Sequence, residues 1–537
     1  LNRKLEEGWF ERLLGQIFMD NPHNCQVLLL PSATLANEKR DAETERLHAV
    51  KKSWGVEDIS GLQKRQAALI AWQSAADTPE ALAALPALQL SDIAVQPERI
   101  PLEERTLAGR CLLRHDISTG RISYVNLYFD VSDFSQEMLP DVSFLCRLLG
   151  NMDTEIHGNL QLQRLCRLNI GRINFSVEAY GGVNAPENCR TFLCVSFSAM
   201  DINLESAANL IAEIITGSKF DDQCMIHELL RQAIVWMEQN IIDSGSGYAM
   251  TRIAAGHSAQ GVVRECTGGF TYFQRLKTLE KNFQRYAAEF SRELAALSKE
   301  IFAKNRLTIS ITGTNDNAEA ILENAVICVL PVSRQKETVC SIRPWSKRRE
   351  GIVIPADVSF TAMGGNLLQY GGAYNGSLQV LSRIVSLSYL WNVIRVQGGA
   401  YGTGLSLSNS GNACFYSYRD PTAARSLNAY RQTEGFIKQF CGTKPDLTRF
   451  IVGTVAEMDP LMLPGRQGKA SDRWYLTGIE YADQCAERRE ILSTTPERLA
   501  AFAQLMYEVS ENGSICVIGS KRQIESCGEE IDSICIL

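Results

Sequence analysis

The chain has no apolar run approaching the roughly 18 residues that a membrane-spanning helix needs, and its first residues lack the charged-then-apolar layout of a signal peptide. The expectation is a protein with no membrane partner that stays soluble where it is made: the cytoplasm, or in a eukaryote the mitochondrial matrix or another organelle. Basic residues are also in deficit. Fifty-four Lys and Arg stand against 61 Asp and Glu, a net charge of −7, so no cationic surplus exists to neutralise phosphates and nucleic acid is excluded as a partner. Zinc motifs are missing. H-E-x-x-H and its inverse H-x-x-E-H both work by putting two histidines on one helical face. Of the six histidines only His227-Glu228 begins either pattern, and position 231 is Arg231, so this chain is expected to bind no metal. No C-x-x-C pair occurs among sixteen irregularly spaced cysteines. They read as reduced and mostly buried, Cys194 and Cys516 as small hydrophobes inside strands, in a reducing compartment. "GGAYGTG" and "GGNLLQYGGAYNG" match neither phosphate-binding pattern and read as turn and packing glycines.

What is present fits a globular protein too large for one core. At 537 residues, 45% apolar and 21% charged, the chain divides into about two to four domains. Residues 1–31 read as the end of an upstream α/β domain: "WFERLLGQIF" has helical periodicity, "NPHN" turns, and "CQVLLLP" reads as a buried strand. One helix and one strand make no core, so several hundred residues are expected ahead of Leu1, in the intact protein or in a partner chain. Residues 32–103 read as a helical hairpin and linker, with charged helices around Gly55 and a short helix started by Thr78-Pro79-Glu80.

Residues 104–331 read as a first α/β domain. In "RISYVNLYFDVSD", Val125, Leu127, Phe129 and Val131 alternate with Tyr124, Asn126, Tyr128 and Asp130, which predicts a strand with one face on a core. A linker at 332–350 contains the basic run Lys347-Arg348-Arg349, read as solvated surface. Residues 351–537 repeat the order of elements as a second α/β domain, in which Thr495-Pro496-Glu497 starts a helix and "SICVIGS" supplies a last strand. The fold class is α+β: two similar α/β layered domains, each a mixed sheet with helices packed on it, preceded by the helical hairpin.

The chain is organised around "WNVIRVQGGAYGTG" at 391–404. Val380, Ile384, Leu387, Trp391 and Ile394 recur at steps of three and four, which predicts one buried helical face with Arg395 in the last turn. Gly398 and Gly399 can end that helix and leave the backbone beside Tyr401 open to an extended ligand. Taken singly, an arginine in a last turn is favoured by the helix dipole, and a tyrosine after glycines serves equally well as a core anchor.

The longer string "SRIVSLSYLWNVIRVQGGAYGTG", followed by "CFYSYRDP", resembles the pitrilysin-type zinc peptidases, in their presequence-protease branch. "GHSAQGVVRECTGGFTYFQ", "FTAMGGNLLQYGGAYNGS" and "REILSTTPERLAAFA" extend the resemblance over most of the chain. It implies the C-terminal half of a metalloendopeptidase that degrades short unfolded peptides in a closed chamber. Zinc would be held by the missing N-terminal half, in the same polypeptide or a separate subunit. It also implies that Arg395 and Tyr401 are catalytic, donating hydrogen bonds at that zinc site, with Gly398 and Gly399 beside the bound peptide. Lacking the motif, this chain alone is expected to be inactive. The alternative is a binding or structural homologue whose partner half has lost its zinc ligands.

Overall fold

The computed structural model describes residues 2–32, 34–75, 77–332 and 340–537, which form two compact units, Leu1–Pro86 and Ala87–Leu537. The smaller unit is helical. Leu35–Lys52 and Val56–Ser74 are joined through Gly55, whose N–H donates to the Asp58 carboxylate at 2.8 Å and so ties down the second helix start. The strand expected at 25–31 is not formed. Val27 is 79% and Leu29 90% exposed, because a strand needs a ladder partner and no strand lies among the described residues of this unit.

Two mixed sheets organise the larger unit. The first comprises β1 (Glu103–Leu107), β2 (Arg110–His115), β3 (Ile122–Asp130), β4 (Arg172–Gly182), β5 (Ala185–Met200) and β6 (Leu307–Thr312), in the order β1-β2-β6-β3-β5-β4. The second comprises β7 (Arg349–Val353), β8 (Phe360–Asn366), β9 (Gly402–Leu407), β10 (Asn412–Tyr418), β11 (Ser514–Gly519) and β12 (Ser533–Ile536), in the order β12-β7-β11-β8-β10-β9. From β2 and β7 inwards the two orders correspond strand for strand. The parallel pair β2–β6 matches β7–β11, and every other shared pair is antiparallel. This is the repeat expected from the order of elements, and the fold class is as read. β12 lies beyond the strand expected to be last. β7 begins at Arg349, within the segment read as linker, and residues 333–339 of that segment lie outside the described residues.

β3 departs from its pattern in an informative way. Val125, Leu127, Phe129 and Val131 are buried as expected, but Asn126 and Tyr128 on the opposite face are buried too. Helix Pro464–Thr477, from the second half of the chain, covers that face. Its approach depends on missing side chains: a Cβ on Gly468 would lie 1.8 Å from Thr312 Oγ1, and one on Gly465 would lie 2.5 Å from the Tyr124 ring. Asp472 on this helix then receives Tyr128 Oη at 2.9 Å, Asn126 Nδ2 at 3.1 Å and His115 Nε2 at 2.8 Å, all of it buried. Nδ1 of His115 faces the carbonyl of Pro101, which can only accept, so Nε2 and the carboxylate share one proton. Asp472→Ala strips three buried donors of their acceptor, and denaturant unfolding is expected to show a loss of about 3–5 kcal/mol.

The two sheets are also locked through the long helix Gln223–Ala255. Within "DSGSG" the helix kinks at Ser244, and Gly245 lets Phe360 of β8 come where a Cβ would be 2.5 Å from its ring. Further on, Arg252 donates to Glu350 of β7 at 2.6 Å and to Glu265 at 3.1 Å, a buried charge shared across both halves. His257 follows, buried between Gln369 Oε1 and Ser514 Oγ at 3.0 Å each. Burial holds its pKa below the ordinary histidine value. The unfolded chain therefore takes up this proton first. The neutral ring's contribution is present above a pH of about 6.5 and is lost as pH falls from there through the lower folded value. Chemical-denaturation stability measured against pH should decline below that point by no more than about 1.4 kcal/mol per pH unit for this group, and His257→Gln should flatten the decline.

Candidate functional site

The helix leading to Arg395 begins at Gly376, where the Asn375 side chain accepts from Ser377 N and the Gly376 N–H donates to Glu490 at 2.7 Å. It does not keep α-helical register. From Val385 to Val396 it is a π-helix, closed by Gln397 N to Asn392 O at 3.0 Å, five residues back. The buried residues are therefore Val385, Leu390 and Ile394, stepping by five and four. The expected members Leu387 and Trp391 are 47% and 37% exposed. A period of three and four applies only where bonds run four residues back, and this segment abandons that spacing.

Two serines on the buried side of this helix hold strand β9. Ser386 Oγ accepts from Leu405 N at 2.9 Å and Ser382 Oγ donates to Leu405 O at 2.5 Å, which closes the sheet edge at that residue. The helix ends where the glycines predicted. Gly399 sits at φ 82° with its N–H on Arg395 O at 2.9 Å, and a Cβ on Gly398 would lie 2.4 Å from Ile394 O. Both glycines are thus required by the turn.

The π register brings Trp391 up beside Arg395. The guanidinium carbon lies 4.0 Å from the centre of the Trp391 ring and 5.4 Å from that of Tyr401, and neither Arg395 nor the Tyr401 hydroxyl has a hydrogen-bond partner among the described residues. Tyr401 is 67% exposed, so it is not a core anchor. Its backbone N–H donates to Tyr418 O at 3.0 Å and its ring meets that of Tyr418 edge-on at 5.8 Å, which fixes where the hydroxyl emerges. Arg395, Tyr401 and the glycine turn therefore share one solvent-facing corner, with a fixed charge and a neutral O–H both free to donate. The role of Trp391 was missed because the α-helical period assigned it to the core. Its position four residues before Arg395 was the available signal.

Two other places hold groups of chemical interest. His257 and Ser514 form a hydrogen-bonded histidine–serine pair, but both are sealed in the core with no path for a substrate. A cavity of about 1070 Å³ lies at the opposite end of β9, lined by Leu407–Asn409, by Val177–Gly181 of β4 and by Arg264 and Arg473. The two arginines escaped sequence reading because residues so far apart in the chain leave no spacing to read. Among the described residues no cluster of His, Cys, Asp or Glu could hold a metal ion, and no helix is long and apolar enough to cross a membrane.

Comparison with known proteins gives consistent relationships. Residues 29–279 match the family model for the region associated with peptidase M16, subfamily C, and residues 349–521 match that of the PreP C-terminal domain. The chain is 29% identical over 525 residues to protein HypA of Clostridium perfringens, covering 97% of this chain and 53% of that protein. It is 28% identical over 537 residues to presequence protease 1, chloroplastic/mitochondrial, of Arabidopsis thaliana, covering 98% and 49%. The chain therefore spans about half the length of the curated relatives it matches. In fold it is similar to a conserved protein from Enterococcus faecalis, with a TM-score of 0.58, 15% identity, and coverage of 78% of this chain and 99% of that one. A peptidase M16 inactive domain from Pseudomonas fluorescens gives a TM-score of 0.53 and 13% identity, covering 79% and 98%.

The geometry separates structural from chemical roles at this corner. Gly399→Ala forces a side chain into the left-handed region and is expected to cost about 1–2 kcal/mol. Tyr401→Phe removes a hydroxyl without a partner and should stay within about 0.5 kcal/mol of the parent. Thermal unfolding of the two variants side by side checks both.

Proposed function

The chain belongs to the presequence-protease branch of the pitrilysin-type M16 peptidases, as its C-terminal half, and from that premise we propose that it completes the active site of a zinc metalloendopeptidase acting on short unfolded peptides in a closed chamber. The observation that carries the reading is the pair of unsatisfied donors, Arg395 and Tyr401, on a rigid turn at an exposed corner. Gly398 and Gly399 leave the adjoining backbone bare, which allows an extended peptide to lie against it.

The described residues of this chain offer no ligand set for zinc, so the metal belongs in this reading to the N-terminal half, where it would supply the activated water. What this chain contributes is donation to the scissile carbonyl. As water adds, the oxygen gains negative charge, and donors already aimed there help more in the transition state than with bound substrate. Stacking on Trp391 holds the Arg395 side chain extended without satisfying its N–H groups, leaving them for the ligand.

The exposed apolar segment Val27–Leu30 supports a partner in the other half, since an unpaired strand-like run completes itself by joining a sheet edge. Sixteen free cysteines support a reducing compartment, the cytoplasm or an organelle matrix.

Joined to its zinc-bearing half, Tyr401→Phe should lower kcat by about 10²–10³, on the order of 3–4 kcal/mol, with Tm unchanged. Arg395→Lys should fail similarly, because an ammonium lacks the planar fork. Steady-state cleavage of a fluorogenic peptide reads both. Full turnover in Tyr401→Phe would reject the catalytic role and favour a half that only binds.

A further inference from the structure

The cavity at the far end of β9 has a charge pattern that the proposed catalysis does not use. Of the acids on its wall, Glu178 is held by Lys469 at 2.5 Å and by the Tyr180 hydroxyl, Asp459 pairs with Arg488, and Glu457 pairs with Arg383. Glu487 accepts from the Tyr374 hydroxyl, and burial raises its pKa towards the neutral form. Glu98 stands exposed in the segment that forms one side. Against these, Arg264 and Arg473 make no hydrogen bond or ion pair among the described residues, though both line the same space. Desolvation, reinforced by the charge of Arg473, lowers the Arg264 pKa, so two guanidinium groups repel one another across a shared volume with no protein anion between them.

The same cavity runs along the edge of the first sheet. β4 is the outermost strand, and Ala179 O on it accepts from Gln260 Nε2 at 2.9 Å, a side-chain amide standing where a neighbouring strand would donate. The corresponding edge of the second sheet, β9, is stitched to its helix at Leu405. An added strand therefore meets less obstruction on β4. A volume of about 1070 Å³ stands at the upper end of the range for small-ligand pockets, which suits a length of chain.

We propose that this cavity binds the carboxylate end of an extended peptide, whose main chain lies along β4 and whose terminal carboxylate is held by Arg264 and Arg473. The identity of the peptide as a substrate rests on the peptidase reading, whereas the end group and the two arginines go beyond it. A carboxylate matches the guanidinium fork in two parallel hydrogen bonds, and placing it between two like charges relieves their repulsion as it binds. Six residues of β9 separate this site from Tyr401, an extended span of about 20 Å, so a peptide anchored here has its terminus fixed well away from the reacting bond.

The test uses the 537-residue chain without its catalytic half, and so is independent of turnover. Fluorescence anisotropy would compare an N-terminally labelled peptide of alanine, leucine and serine as the free acid, as the C-terminal amide, and as an amide ending in glutamate. The free acid should bind at least about tenfold tighter than either amide, with a preference that weakens as salt rises. Arg264→Gln and Arg473→Gln should each erase that preference, and circular dichroism should report the parental fold because neither side chain has a partner to lose. Equal binding of acid and amide would overturn the site, and so would a preference that survives both substitutions. If the glutamate amide binds as tightly as the free acid, the end-group assignment fails. Loss of this preference leaves the roles of Arg395 and Tyr401 untouched, and failure of those roles leaves this binding intact.

Discussion

Much of the larger unit depends on one buried carboxylate. Asp472 has no access to water and is held by His115, Asn126 and Tyr128 of the first sheet, while its own helix belongs to the sequence of the second half. A charge in that position is tolerable only if every lone pair is matched, so the helix has one seat on the sheet and one rotation within it. Gly465 and Gly468 make the seat deep enough for the carboxylate to arrive. Once the helix is seated, Arg473 and Trp474 must face the β4 edge, and the cavity wall follows from that placement.

A second constraint acts on the chemistry. A helix that must bury Val385, Leu390 and Ile394 while ending at the same turn as Arg395 changes its hydrogen-bonding interval and runs as a π-helix. The wider turn lifts Trp391 out of the core and under the guanidinium. An arginine on an ordinary surface helix would sample many rotamers, but the stack confines this one and leaves its donors free. Serines from the same helix close the β9 edge, so the element that positions the arginine also protects the strand that carries the tyrosine.

The duplicated strand order places an edge strand, β4 or β9, in the same relative position in each sheet. Their surroundings differ. One edge is tied to a helix and starts at the tyrosine corner, whereas the other borders a cavity with two unpaired arginines. Two copies of one topology thus present different chemistry because loops and helices, not the sheet, decide what covers an edge.

Local patterns determined a good deal. Alternation in β3, the capping Thr495 before Pro496, the glycine stop after Arg395 and the absence of a zinc motif were all legible, because each depends on residues within a few positions of one another. The expected strand at 25–31 failed because its apolar run needs a partner from elsewhere, which periodicity cannot supply. The burial of Asn126 and Tyr128, the exposure of Leu387 and Trp391, and the meeting of Arg264 with Arg473 were decided only by tertiary structure. Periodicity reports how a segment would present one face to a core. It carries no record of a second element covering the other face, of a strained helix changing its interval, or of two side chains brought to one cavity from more than two hundred residues apart.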